Sequence, residues 1–144
     1  MIFATFYDRV DVLSRNQVRT WLDAQQYKVA AKFEHIMGGL ERMPFEDWAR
    51  DRTYFAHLSE RQDGCGGLFE VRIAHGSRRQ YRILGKYLPN ERIALLLAGG
   101  IEVKNNFDPP NLCRIAQTAF AQIPATNPEK YRVRHEFSPT SRTD

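Results

Sequence analysis

Three strand-like runs of residues follow one another in the middle of the chain, at positions 68–75, 78–87 and 92–98. The first link is the tight His75-Gly76-Ser77, and the second is Leu88-Pro89-Asn90-Glu91. Links this short join antiparallel neighbours, because a parallel pair needs a crossover of about a dozen residues or more. The sequence therefore predicts an antiparallel three-stranded meander at the centre of the fold.

The residues before the meander predict one strand and a pair of helices. Positions 2–7 are rich in β-branched and aromatic residues, as an opening strand requires. Ser14 and Gln17 have the spacing of a capping box at a helix start. Apolar residues then recur at three- and four-residue steps up to Leu40, too far for one compact helix. We expect a helical hairpin with its break near positions 23–27.

After the meander the sequence predicts one more helix and then an arm. Asp108-Pro109-Pro110 sets up the helix start, an apolar face follows, and Pro124 stops it. Strand, helices, meander and helix in this order predict an α+β fold. We expect one domain over residues 1–124 and a partly flexible C-terminal arm over residues 125–144.

Alternation in the first two strands of the meander gives the sheet an apolar face and a charged face. Val71, Ile73 and Ile83 are expected on the apolar side, where the helices pack. The other side collects four cations opposed only by Glu70, namely Arg72, Arg78, Arg82 and Lys86. Arginine forks match phosphate oxygens, so this face is a candidate phosphate-binding surface. A solvated face with cross-strand ion pairs is the alternative.

Charge and cysteine content limit the other function classes. Lys and Arg total 21 against 17 Asp and Glu, a net charge of +4 that permits a polyanionic partner without requiring one. Cys65 and Cys113 have no CxxC or Cys/His spacing around them, so we expect neither a disulfide nor a zinc site. No leader pattern and no apolar run of roughly 20 residues is present. We therefore expect a cytoplasmic protein in a reducing compartment, with no membrane partner.

Several short motifs occur in the order found in one toxin family. The chain reads GLFEVRI from Gly67, QYRIL from Gln80 and LLLAGG from Leu95, with Lys104 close behind. This order resembles the RelE/HigB toxins, and most of all the phage-associated addiction module killer branch of the RelE/ParE superfamily. The resemblance covers about residues 18–123.

The resemblance implies a fold and an activity. The fold would be a small, curved, antiparallel sheet with an N-terminal helical pair on one face. The activity would be cleavage of messenger RNA, often on the ribosome, by the RNA's own 2′-hydroxyl, with no metal or other cofactor. A cognate antitoxin would be the protein partner.

The resemblance also assigns the reacting groups. Arg82 and Arg72 would hold the scissile phosphate, and Lys104 would help to neutralise the charge that develops on it. The Arg82 side chain is expected to point away from the core, so that its truncation leaves the domain folded. The chain departs from the family at Glu70, where RelE itself has a lysine, and it lacks a match to the C-terminal catalytic tyrosine.

Other residues are candidates for RNA contact or proton transfer. Arg78, Arg79, Lys86 and Tyr131 are expected to touch RNA, Tyr131 by stacking on a base beside basic residues. His75 is a possible acid or base, since imidazole titrates near neutral pH. The alternative for each is an ordinary surface residue.

Two other functions remain open. A ParE-like protein would bind and inhibit gyrase without cutting RNA, and a phage-derived relative would keep the fold and lose toxicity. Transcript loss on induction would favour the ribonuclease. DNA-damage signalling would favour the gyrase inhibitor, and the absence of both responses would favour the inactive relative.

Overall fold

The computed structural model describes residues 1–58, 64–75, 79–104 and 106–137. In this part of the chain a mixed sheet of seven strands is flanked by three α-helices. The elements, in chain order, are β1 Thr5–Arg9, α1 Gln17–Asp23, α2 Tyr27–Glu41, β2 Phe55–His57, β3 Phe69–His75, β4 Arg79–Leu88, β5 Ile93–Val103, β6 Asn106–Asp108, α3 Leu112–Ala121 and β7 Arg132–Arg134. Two short 3₁₀ turns, Phe45–Asp47 and Pro128–Tyr131, complete them.

The sheet is larger than predicted and is not purely antiparallel. Its strands run in the order β2-β3-β4-β5-β1-β7, and β6 pairs with the end of β5. The predicted meander is present as the antiparallel β3, β4 and β5. However, β1 lies parallel to β5, with Thr5 opposite Ile93. The predicted fold class, a small RelE-like antiparallel meander, is therefore wrong. Strands β2, β6 and β7 have three residues each, too few to show an alternating pattern in the sequence.

The two N-terminal helices form the expected hairpin, with its break between Asp23 and Tyr27. The predicted cap is wrong by two residues. Asn16, and not Ser14, caps α1, and its side-chain oxygen accepts a hydrogen bond from the Arg19 amide at 2.9 Å. Ser14 lies in the preceding turn with a φ of 61°, where its amide donates to the Asp11 carbonyl.

Both faces of the sheet are covered. The N-terminal helices pack on the side of Val71, Ile73 and Ile83, as predicted. Helix α3 packs on the opposite side, against Leu84 and Leu97. That side is therefore half core wall and half charged surface.

The Gly99-Gly100 pair in β5 allows helices to approach the sheet from both sides. A Cβ at Gly99 would lie 2.2 Å from the Trp21 indole of α1. A Cβ at Gly100 would lie 2.6 Å from the Leu112 side chain of α3. The two glycines thus have a packing role.

A disulfide joins Cys65 to Cys113, whose Cα atoms are 5.1 Å apart. It ties the loop before β3 to the first turn of α3. The expectation of two reduced cysteines is therefore wrong. The pairing spans 48 positions of sequence, and only the packing of α3 on the sheet brings the two residues together. Among the described helices, none combines the length and the apolar character needed to cross a bilayer.

Candidate functional site

Arg72 and Arg82 are cross-strand partners on β3 and β4 and therefore share one face of the sheet. This agrees with the alternation in the sequence. Their environments differ from the expectation of free surface cations. Arg82 is only 4% exposed, and Arg72 is half-buried.

Glu70 connects the two arginines. Its Oε1 lies 3.2 Å from Arg72 Nη1, and its Oε2 lies 3.4 Å from Arg82 Nε. The carboxylate is 4% exposed. Burial raises the pKa of Glu70; the charges of Arg82 and Arg72 oppose this rise in pKa.

A second carboxylate, missed by the sequence analysis, completes the cluster. Glu102 Oε1 lies 3.4 Å from Arg82 Nη2, which also donates to the Gln80 side chain. Glu102 lies on β5 four residues past the predicted strand end at Ala98, so the sequence analysis left it outside the sheet. The prediction that only Glu70 opposes the cations is wrong. The Arg82 side chain does not point into solvent either, because it lies between two carboxylates.

The contact between Glu70 and Arg82 is incomplete as a hydrogen bond. Glu70 Oε2 and Arg82 Nε are both buried, and neither makes a hydrogen bond within the described residues. The 3.4 Å separation is an ion-pair distance with poor donor geometry. These two atoms therefore retain capacity for another partner.

An open cleft of about 350 Å³ lies beside the cluster. Arg52, Arg72 and Arg82 line it together with the Gln80 side chain. Arg52 belongs to the loop before β2, where its φ is 61° and its carbonyl accepts a hydrogen bond from Arg72 Nη2. No sequence pattern marked Arg52, because a loop with no periodicity places it at the cleft. Three arginines in the lining of one opening are suited to an anion.

The structure does not bring the third proposed catalytic residue into the cleft. Lys104 is exposed in the turn that follows β5, has a φ of 52° and is absent from the cleft lining. Lys86 is also elsewhere, because its ammonium lies 4.6 Å from the Phe120 ring centre under α3. Neither lysine lines the cleft with the two arginines, although Lys86 lies on the predicted face of the sheet.

Three further candidates lie away from the cleft. His75 and Arg79 are cross-strand partners on the opposite face, where His75 Nε2 lies 3.2 Å from Gln26 Oε1. Tyr131 precedes β7 at the far edge of the sheet. These positions do not support joint action with Arg82. Arg78 lies outside the described residues.

A second buried polar cluster fastens the C-terminal segment to the domain. His135 Nδ1 lies 2.7 Å from Asp8 Oδ1, and Asn16 Nδ2 donates to Asp8 Oδ2 at 2.8 Å. Arg19 reaches His135 Nε2 at 3.4 Å. His135 and Asp8 are each 1% exposed, so they are closed to a substrate. In the described ranges, no three His, Cys, Asp or Glu side chains converge as a metal site would require.

No protein-family model, curated protein or solved structure matches this chain. The resemblance to RelE/HigB toxins is therefore still a prediction from the motifs.

Proposed function

We propose that the protein is an endoribonuclease, the toxin component of a type II toxin–antitoxin system, and that Arg72, Arg82 and Glu70 form its reaction site. The observation that carries the proposal is a buried carboxyl of raised pKa in contact with two arginines that line an open cleft. A raised pKa makes Glu70 a better proton acceptor than an ordinary surface carboxylate. The arginines supply the positive charge that a phosphodiester needs.

The chemistry uses the RNA's own 2′-hydroxyl. Glu70 accepts the proton of this hydroxyl, whose oxygen bonds to the adjacent phosphorus while the bond from phosphorus to the 5′-oxygen breaks. The products are a 2′,3′-cyclic phosphate and a 5′-hydroxyl end, the latter protonated from water. Arg72 and Arg82 hold the non-bridging oxygens as their charge rises.

Substrate binding must first change the partners of the arginines. In the free protein Glu70 and Glu102 both form ion pairs with Arg82, and Arg82 Nη2 donates hydrogen bonds to Gln80 and Glu102. Glu70 does not line the cleft in the free protein and is 4% exposed. A phosphate in the cleft draws Arg72, the more exposed arginine, away from Glu70 Oε1, and this movement opens the carboxylate to the 2′-hydroxyl. Arg52, on the rim of the cleft, adds a third positive charge.

The partners follow from the same proposal. Messenger RNA, with the ribosome as the place of cleavage, is the substrate, and an antitoxin covers the cleft. We propose the cytoplasm as the place of action. The disulfide does not support that location, because cytosolic thiols are kept reduced.

The test is induction of the chain in a bacterial host, with growth and transcript ends measured for each variant. Glu70→Gln keeps the shape of the side chain and removes the base, and Arg72→Gln removes the more exposed arginine. Each should lower cleavage by about a hundred- to a thousandfold, as the loss of one preorganised group does. Arg42→Gln is the matched control, because Arg42 is exposed at the end of α2 on the other face of the sheet. It should cleave like the wild type.

One observation favours a second candidate, a phage-derived relative that has lost toxicity. Arg82 is held between two carboxylates, which leaves little net positive charge for a phosphate. If induction leaves transcripts and growth unchanged while the purified chain is folded, this candidate replaces the ribonuclease. DNA-damage signalling with intact transcripts would instead identify a gyrase inhibitor.

A further inference from the structure

A second cavity lies on the other half of the molecule, between the end of α3, the β4–β5 turn and the C-terminal segment. Its volume is about 330 Å³. Most of its lining is apolar, from Leu88, Leu95, Phe120, Ile123, Pro124 and Pro128. This volume is at the lower end of the range of about 300–1,000 Å³ found for small-molecule sites.

Arg132 contributes a positive charge to this otherwise apolar wall. Across the sheet its partner is Arg9, so the two side chains share one face. Arg9 is 6% exposed, and its Nη2 donates to the Gln122 side chain at 3.3 Å. Gln122 directly precedes Ile123 of the lining, so the buried arginine lies next to the cavity.

Neither arginine has a counter-charge in the part of the chain that the structure describes. Within the described residues, no carboxylate lies within 4.0 Å of Arg9 or Arg132, and Arg9 Nε makes no hydrogen bond. A buried guanidinium without a counter-charge is costly. Glu91, the acidic residue of the lining, is exposed on the β4–β5 turn and forms no ion pair with Arg132. Among the described residues, the cavity therefore has mostly apolar walls and a positive end without an ion-pair partner.

We propose that this cavity binds a small amphipathic carboxylate, with its aliphatic chain in the cavity and its carboxylate on Arg132. Arg9, the cross-strand partner of Arg132, adds to the positive potential at the carboxylate. A charge-assisted, two-pronged hydrogen bond from a guanidinium is the strongest contact that such a head group makes. The site is separate from the arginine–glutamate cleft, because the two linings share no residue. The proposal does not depend on ribonuclease activity.

The experiment is calorimetric titration of the full chain with decanoate, decanol and decylamine, each below its micelle concentration. Decanoate should bind at least tenfold more tightly than decanol, and decylamine more weakly than both. Arg132→Gln should weaken decanoate binding about tenfold, or about 1.4 kcal/mol, and leave decanol unchanged. Arg114→Gln removes an equal charge from the exposed side of α3 and should bind like the wild type.

A second variant tests the position of the aliphatic chain. Ala121 lines the cavity at the last position of α3 and is exposed, so Ala121→Trp should fill the space without loss of folding. It should abolish binding of decanoate and decanol alike. The proposal is overturned if decanoate fails to bind at millimolar concentration, if it binds no better than decylamine, or if a folded Ala121→Trp variant keeps wild-type affinity.

Discussion

Arg72 and Arg82 lie directly opposite each other on neighbouring strands, with the Glu70 carboxylate in contact with both. Two like charges at a cross-strand position destabilise a sheet, and the glutamate offsets that repulsion. The same carboxylate is almost fully buried, so its own desolvation has to be compensated by the arginines. Each of the three charged groups therefore depends on the other two for its stability.

Truncation of Arg82 should destabilise the fold strongly. Arg82→Ala leaves Glu70 buried with Arg72 as its remaining guanidinium partner, a change that typically costs about 3–5 kcal/mol. This replaces the expectation, drawn from alternation alone, that the variant folds normally. Urea denaturation measures the loss of stability in Arg82→Ala and Arg72→Ala. The loss should be smaller for Arg72→Ala, because the Arg72 side chain is 26% exposed.

A double substitution provides the control for Arg82. Arg82→Met combined with Glu70→Leu removes both buried charges and should recover most of the lost stability. If Arg82→Ala and the wild type have the same midpoint of unfolding, the buried ion pair is not formed in solution.

The raised pKa of Glu70 predicts a pH dependence of stability. The pKa of Glu70 in the folded protein lies above the ordinary value of 4.5, so the folded protein holds this proton more tightly than the unfolded chain does. The contribution of Glu70 to the free energy of unfolding is thus complete below pH 4.5 and is lost as pH rises through the raised pKa. Glu70→Gln cannot titrate, so its stability should fall less over that interval. Urea titrations at several pH values give the free energy of unfolding for the wild type and for Glu70→Gln. If this free energy changes equally with pH in both proteins, the pKa shift is contradicted.

Gly99 should tolerate no side chain. In Gly99→Ala the new Cβ would lie 2.2 Å from the Trp21 ring, which forces α1 away from β5. Overpacking of this kind costs about 1–3 kcal/mol. Gly39→Ala is the matched control, because nothing lies within 4 Å of the new methyl group in α2. It should stabilise the helix by about 0.5–1 kcal/mol. Thermal denaturation of both variants tests the pair, and a neutral Gly99→Ala would show that Trp21 packs elsewhere.

Reduction of the disulfide should destabilise the protein and leave the fold intact. The bond closes a loop of 48 residues, for which the chain-entropy relation gives about 4 kcal/mol. The Cys65→Ala/Cys113→Ala double variant should lose the same amount and become insensitive to reductant. Thiol titration of the purified wild type supplies the check, since two free thiols in the native protein would mean that the bond does not form.

Local patterns in the sequence predicted the local structure, but they did not predict the long-range contacts. Alternation and short links place Val71, Ile83 and Arg82 on the correct faces of β3 and β4. Nothing local marks the pairing of β1 with β5, because the two strands are separated by about 85 residues. For the same reason the sequence missed Arg52 at the cleft and the partner of Cys65.

At the candidate site, residue type and face were predictable, but burial was not. Arg82 is charged, and charge alone suggested exposure. Its burial depends on the approach of Glu102 from β5, and α3 covers the neighbouring Lys86. These are tertiary contacts, and the alternation of side chains along one strand contains no information about them.

The last described strand also has a protective role towards the first. Strand β7 hydrogen-bonds along the side of β1 that faces away from β5, and the Asp8–His135 contact holds it there. Without residues 125–144, β1 would present a row of unpaired amide and carbonyl groups. An exposed edge strand of this kind can pair with strands of other molecules. Shortened forms of this chain should thus be tested for self-association before any loss of activity is assigned to a missing catalytic group.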